Sequence, residues 1–190
     1  MTKFIIGKKI GMTTIYENEK GALNVTLVEC LPNKVELLRD KEKDGYSAVR
    51  LGVANKKGKN ICKEFRIKED EKGSFEIGKE IGVEIFELDD KVAVIGTTKA
   101  KGYQGVVKRH GFKGSPASHG HRHDHRAPGS IGCAFPEHVL KGRKMAGRMG
   151  GNKFTVKNLK VVYIDKENNL IGLKGAVPGV VNRMVQLSVI

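Results

Sequence analysis

Between Lys99 and Lys153 the chain sets twelve cationic side chains against two acids, Asp124 and Glu137, a net +10 of the total +14. The cations are Lys99, Lys101, Lys108, Arg109, Lys113, Arg122, Arg126, Lys141, Arg143, Lys144, Arg148 and Lys153. The same window holds eleven of the 24 glycines and all six histidines. Lysine and arginine neutralise phosphates and release counterions, and glycine lets backbone amides approach a phosphate where a Cβ would clash. The pairs Lys101-Gly102, Lys113-Gly114, Lys141-Gly142 and Gly147-Arg148 place a cation beside a flexible joint, so the segment can follow an irregular anionic surface. Folded RNA suits such a chain better than regular duplex DNA, which more often meets a rigid helix. A solvated basic loop without a partner is the bland alternative.

The run His119-Gly-His-Arg-His-Asp-His125 raises a metal site, because in an extended segment its period of 2 points four imidazoles to one face. Arg122 and Arg126 would repel a cation, no cysteine is near, and no helical His-x-x-x-His or carboxylate shell accompanies the run. The preferred reading assigns no metal and no cofactor, and gives His110, His119 and His125 to hydrogen bonding or stacking on RNA. A metalloprotein using His119, His121, His123 and His125 is the rival. Catalysis has no support. There is no Gly-x-Ser-x-Gly and no phosphate-binding Gly-Lys-Ser/Thr, and Ser118 beside His119 has no orienting acid. Lys101 to Lys108 begins like an RNA-recognition-motif signature but lacks its stacking aromatics, and the Gly-x-x-Gly matches follow from glycine abundance.

The elements that must carry this segment are read from the flanks. The chain of 190 residues is long enough for one real core. The opening apolar run, Phe4-Ile5-Ile6, ends at Gly7-Lys8-Lys9, so no targeting peptide is expected, and no stretch of about 18 apolar residues could span a bilayer. Cys30, Cys62 and Cys133 form no Cys-x-x-Cys pair, which fits a reducing compartment. Short β-branched and aliphatic runs predict strands at 24–30, 34–39, 46–53, 80–87, 92–97, 154–165, 170–174 and 184–189, with Glu19-Lys20-Gly21 and Pro32-Asn33 as turns. Asp165 to Asn169 reads as a five-residue hairpin connection, and residues 61–69 read as a helix. Strands at this spacing predict a closed barrel or sandwich, a mainly β fold. Residues 102–151 show no sustained period of 2 or 3.6 and too few aliphatics for a core, so they are expected to be disordered until a partner orders them.

At certain residues the chain stops being generic. Gly96 to Phe112, Ala117-Ser-His-Gly120, His125-Arg-Ala-Pro-Gly-Ser-Ile-Gly132 and Lys141-Gly-Arg-Lys-Met-Ala-Gly147 closely resemble the bacterial-type ribosomal protein L3 family in order and spacing. So do Ile6 to Thr13 and Lys174-Gly-Ala-Val-Pro-Gly179. The resemblance implies a translation-protein-type β-barrel, residues 1–97 plus 154–190, with a long irregular basic extension, 98–153, inserted before the last strands. It implies a non-catalytic constituent of the large ribosomal subunit that binds 23S rRNA, nucleates assembly, neighbours ribosomal proteins L14 and L19, and sends the extension toward the peptidyl transferase centre. The protein would be cytoplasmic and ribosome-bound, with no membrane and no homo-oligomer. Gly129, Ser130, Ile131 and Gly132 would turn the tip, and the twelve cations with His110, His119 and His125 would contact rRNA. Many members carry a methylated glutamine after the Gly-Ser-Ile-Gly motif, where this chain has Cys133.

Overall fold

The computed structural model describes residues 2–17, 21–54 and 60–190, so the predicted Glu19-Lys20 turn lies outside the described residues. The chain separates into two compact units, Met1–Thr98 with Lys153–Ile190, and Lys99–Asn152.

The first unit contains β1 (Phe4–Glu17), β2 (Gly21–Glu29), β3 (Asn33–Arg39), α1 (Lys41–Asp44), β4 (Ala48–Val53), β5 (Ile61–Arg66), β6 (Glu80–Ile81) and β7 (Lys91–Thr97). The second holds β8 (Gly102–Gln104), α2 (Val106–His110) and β9 (Gly147–Met149), and the chain returns to the first with β10 (Lys153–Asp165), β11 (Leu170–Lys174) and β12 (Met184–Val189). Six strands close into an antiparallel ring in the order β1-β12-β7-β10-β11-β2, and β5-β4-β3-β6 form a second sheet. The fold is mainly β, as the runs of β-branched residues predict.

β1, the longest strand, joins the two sheets' cores by its alternation. Ile5 packs inside the ring with Val28, Val92, Val94, Val161, Ile171, Leu173 and Leu187. Its neighbours Phe4 and Ile6 point the other way, into a core with Val35, Val49, Leu51, Phe65 and Phe75. Phe4 stacks on Phe65 at 4.6 Å between ring centroids and on Phe75 at 5.3 Å. Each fully buried aliphatic or aromatic of this kind contributes about 1.5–3 kcal/mol by leaving water. One register shift falls between Lys9 and Gly11 in the β1–β2 ladder and another between Val156 and Leu159 in the β10–β7 ladder. Such bulges bend a strand and sharpen its twist, which closing a ring of six requires.

Several sequence expectations change. Residues 61–66 are strand rather than helix: β5 pairs with β4 from Val53↔Ile61 to Ala48↔Arg66, and that register buries Phe65 on Phe4. The 80–87 strand shortens to Glu80–Ile81 and is followed by a 3₁₀ turn at Val83–Ile85. Asn33 is no surface turn. It is fully buried, its Oδ1 accepts from Ile6 N at 3.0 Å, and its Nδ2 donates to Ile6 O at 3.0 Å and Leu31 O at 2.8 Å. A side-chain amide thereby stands in for a strand partner of β1. Lys9, read from sequence only as the end of an apolar run, is also buried, and its ammonium donates to the Val177 carbonyl at 2.8 Å. The predicted hairpin forms with a shorter connection, residues 166–169, because Asp165 pairs with Leu170 while its carboxylate accepts from the backbone of Glu167 and Asn168.

Candidate nucleic-acid interface

The second unit is not structureless at its root. β8 and β9 pair from Gly102↔Met149 to Gln104↔Gly147, and Lys101 N donates to Met149 O at 2.9 Å. α2 follows, with Val106 buried, and it stops at Gly111, whose φ of +74° lets its N–H return to Val107 O. Beyond it, residues 111–146 contain neither helix nor strand. The outer stretch thus lacks regular secondary structure, and the expectation that the whole of 102–151 is unstructured is corrected at the root, where local pairing needs only three residues a side.

Two predicted RNA contacts turn to their own chain. Arg109 donates from Nη1 to the Met145 carbonyl at 2.6 Å, and His110 Nε2 meets the same oxygen at 2.9 Å. A carbonyl only accepts, so this nitrogen carries the proton. Both side chains are half-buried, and they tie the outgoing segment to the returning one. Gly147 makes this possible, because a Cβ there would lie 2.6 Å from Arg109 Nη1. Gly150, at φ +73°, lies so close to the Lys99 carbonyl oxygen that a Cβ would collide with it.

The other predicted residues are exposed: Lys99, Lys101, Lys108, Lys113, His119, Arg122, His125, Arg126, Lys141, Arg143, Lys144, Arg148 and Lys153. Of these, Arg143 also braces the predicted tip, although residues 127–133 form neither turn nor bend. Its Nη2 donates to Ser130 O at 2.6 Å, Ser130 Oγ donates to Gly132 O at 3.0 Å, and Gly129 has φ +74°. Ile131 is exposed within it. The histidine run is not the extended, one-faced array its period suggests. Residues 117–126 are mostly turns and bends, His119 and Gly120 have positive φ, and His121 is half-buried while His119, His123 and His125 are exposed. Among the described residues no three His, Cys, Asp or Glu side chains converge as a metal-ligand set.

The electrostatics separate this segment from the rest. Among the described residues, no ion pair involves a cation from Lys99 to Lys153. In the first unit, by contrast, Lys3 bonds Glu87 at 2.8 Å, Arg39 bonds Glu64 at 3.0 Å and Lys41 bonds Glu69 at 2.9 Å. Uncompensated like charges at this density raise the local potential and draw polyanions. Sequence reasoning passed over two exposed aromatics here, Tyr103 at 76% exposure and Phe135 at 80%. Their signal was available: each sits among glycine, proline and charge with no apolar cluster to join.

A closed β-ring unit bearing a glycine-laced insertion whose cations make no ion pair among the described residues defines a class, the barrel proteins with a long basic extension. The sequence pattern of the family described as Ribosomal protein L3 matches residues 49–169, which takes in the whole second unit and the strands on either side. The chain is 42% identical to the large ribosomal subunit protein uL3 of Herpetosiphon aurantiacus over 99% of this chain and 96% of that protein. It is 43% identical to the uL3 of Brachyspira hyodysenteriae over 97% and 92%, and 45% identical to that of Streptococcus mutans over 94% and 92%. The chain belongs to the ribosomal protein L3 family.

Proposed function

We propose that this chain is a structural constituent of the large ribosomal subunit which binds 23S rRNA directly, without catalysis, through the segment 98–153. The observation that carries the reading is the row of exposed cations from Lys99 to Lys153 that pair with no acid among the described residues. Phosphates supply the missing counter-charge, and insertion between RNA helices offsets the repulsion that would hold those helices apart. The relatives' shared name as large-subunit proteins supports the same setting. In this reading the barrel, residues 1–97 plus 154–190, docks early and nucleates assembly beside ribosomal proteins L14 and L19. The extension runs toward the peptidyl transferase centre, with Gly129 to Gly132 leading. The protein is ribosome-bound in the cytoplasm, and among the described residues no helix is long and apolar enough to cross a membrane.

The test is the salt dependence of binding to a 3′-domain fragment of 23S rRNA. Each phosphate contact contributes about 0.7–0.9 to the slope of log affinity against log salt. A slope steeper than about −5 is expected, with co-sedimentation on the large subunit. A slope near −1, or equal affinity for duplex DNA in competition, would overturn the reading.

A further inference from the structure

The outer part of the second unit folds over a cavity of about 760 Å³. One wall is Gly111 to Ser115, and the other includes Asp124 and Pro128. The walls are held together by Ser115 N donating to His125 O at 3.2 Å. Gly114, at φ +72°, passes so close to that carbonyl oxygen that any Cβ would strike it, so the cup closes only with glycine there. The Phe112 ring is half-buried and tilted against His110 at 5.9 Å between centroids, which fixes it as a wall rather than a free side chain.

The composition of this cup runs against its surroundings. The window has only two acids, and one of them, Asp124, lines the cavity together with Lys113. A carboxylate repels phosphate and weakens a surface that binds phosphate alone. What it accepts is N–H and O–H donors; on the polyanion of the function proposed above the ribose 2′-OH offers a single one, and only base edges offer two side by side. Single-stranded or bulged RNA is read by splaying a base out, stacking it on an aromatic ring and bonding its Watson–Crick edge. Guanine alone presents two adjacent donors on that edge, N1–H and N2–H, which match the two oxygens of one carboxylate. The volume falls in the range of ordinary small-molecule sites and accepts a whole nucleotide.

We infer that this cup takes one unpaired guanine nucleotide of the RNA, its base against Phe112, its N1–H and N2–H on Asp124, and its phosphate on Lys113. The inference rests on the rRNA-binding reading, and its test separates the two by sign. If the segment acts through charge alone, Asp124→Asn removes a repulsive group and tightens binding. If Asp124 reads a base, the same change weakens it.

The experiment uses the full chain and the 3′-domain fragment of 23S rRNA, with a glyoxal reagent that attacks guanine N1 and N2. Asp124→Asn should bind about tenfold more weakly at unchanged salt slope, within the range for a bidentate base contact. One guanine shielded in the wild-type complex should become reactive in the variant. Phe112→Leu, which keeps an apolar wall but removes the ring, should weaken binding several-fold and expose the same guanine. Equal or tighter binding by Asp124→Asn, or weaker binding with no guanine changing reactivity, overturns the inference while a steep wild-type salt slope leaves the rRNA reading standing. A shallow wild-type slope overturns both.

Discussion

The two units of this chain answer their charges differently. In the first, cations meet acids across strands: Arg39 binds Asp44 and Glu64, and Lys3 binds Glu87 and Asp90. Its buried polar groups are also partnered, Asn33 by the β1 backbone and Lys9 by the Val177 carbonyl. In the second, the hydrogen bonds of Arg109 and Arg143 go to carbonyl oxygens and leave their charges uncancelled. The buried cores differ too. Ile5, Leu51 and Leu187 are fully buried in the first unit, while Val106 is the buried apolar residue of the second among the described residues. The first unit meets its charges from within, and the second leaves its cations without acid partners among the described residues, which is what the rRNA-binding proposal rests on.

That contrast can be broken most sharply in the first unit's core. Phe4→Ala should cost about 3–5 kcal/mol in denaturant unfolding, because the ring fills the space between Phe65 and Phe75. A cost under about 1 kcal/mol would mean that the second sheet's core is not held through β1. In the second unit, replacing Lys108, Lys141 and Lys144 together by alanine should lower the salt slope of rRNA binding by about 3 and leave the barrel's melting temperature unchanged. A fall in melting temperature would make these lysines part of the fold.

A smaller effect is expected at the root. Gly150→Ala forces a side chain into a left-handed conformation, at about 1–2 kcal/mol for the backbone angle alone, and against the Lys99 carbonyl, which must shift. Amide exchange in the free protein should show Lys101 and Gly111 protected before the change and Lys101 no longer protected after it, with residues 112–146 exchanging faster throughout, Ser115 and the few other amides that bond a carbonyl being the slower ones among them. Strong protection across 112–146 without RNA would erase the distinction between root and outer stretch.

The smallest effect is on pH. The Arg39 guanidinium, and after it the Tyr46 hydroxyl, hold the Glu64 carboxyl below its usual range, and bonds from Cys62 and Asn60 lower Glu36. A folded-state value below the unfolded one stabilises fully above the unfolded carboxylate range and is lost as the pH falls through the folded value. Stability should therefore decline below about pH 4, and Glu64→Gln should flatten that decline slightly, since exposed pairs are screened. An unchanged acid profile in Glu64→Gln would show that the pair contributes nothing to the sheet.

Much of this was legible in the sequence, for physical reasons that differ by element. The strands β2, β3, β7, β10, β11 and β12 declare themselves through runs of β-branched residues between turns. β1 did not, because Gly7, Lys8, Lys9 and Gly11 interrupt its pattern, yet each has a use: Gly7 clears Cys30 and Val28, and Lys9 reaches the Val177 carbonyl. β5 read as helix because its only deeply buried residue is Phe65, and one burial reveals no period. That Arg109 and His110 bond a carbonyl 35 or more residues away is a contact which no local pattern announces.

Charge is additive along a chain, so the sequence by itself determined that the positive surplus lies between Lys99 and Lys153, and its motifs determined the family. Which core each residue of Phe4-Ile5-Ile6 enters, that Lys9 and Asn33 lie inside, and that Asp124 faces a cavity were decided only by the tertiary structure. Register and enclosure arise from partners distant in sequence, and a residue's own type is silent about where those partners stand.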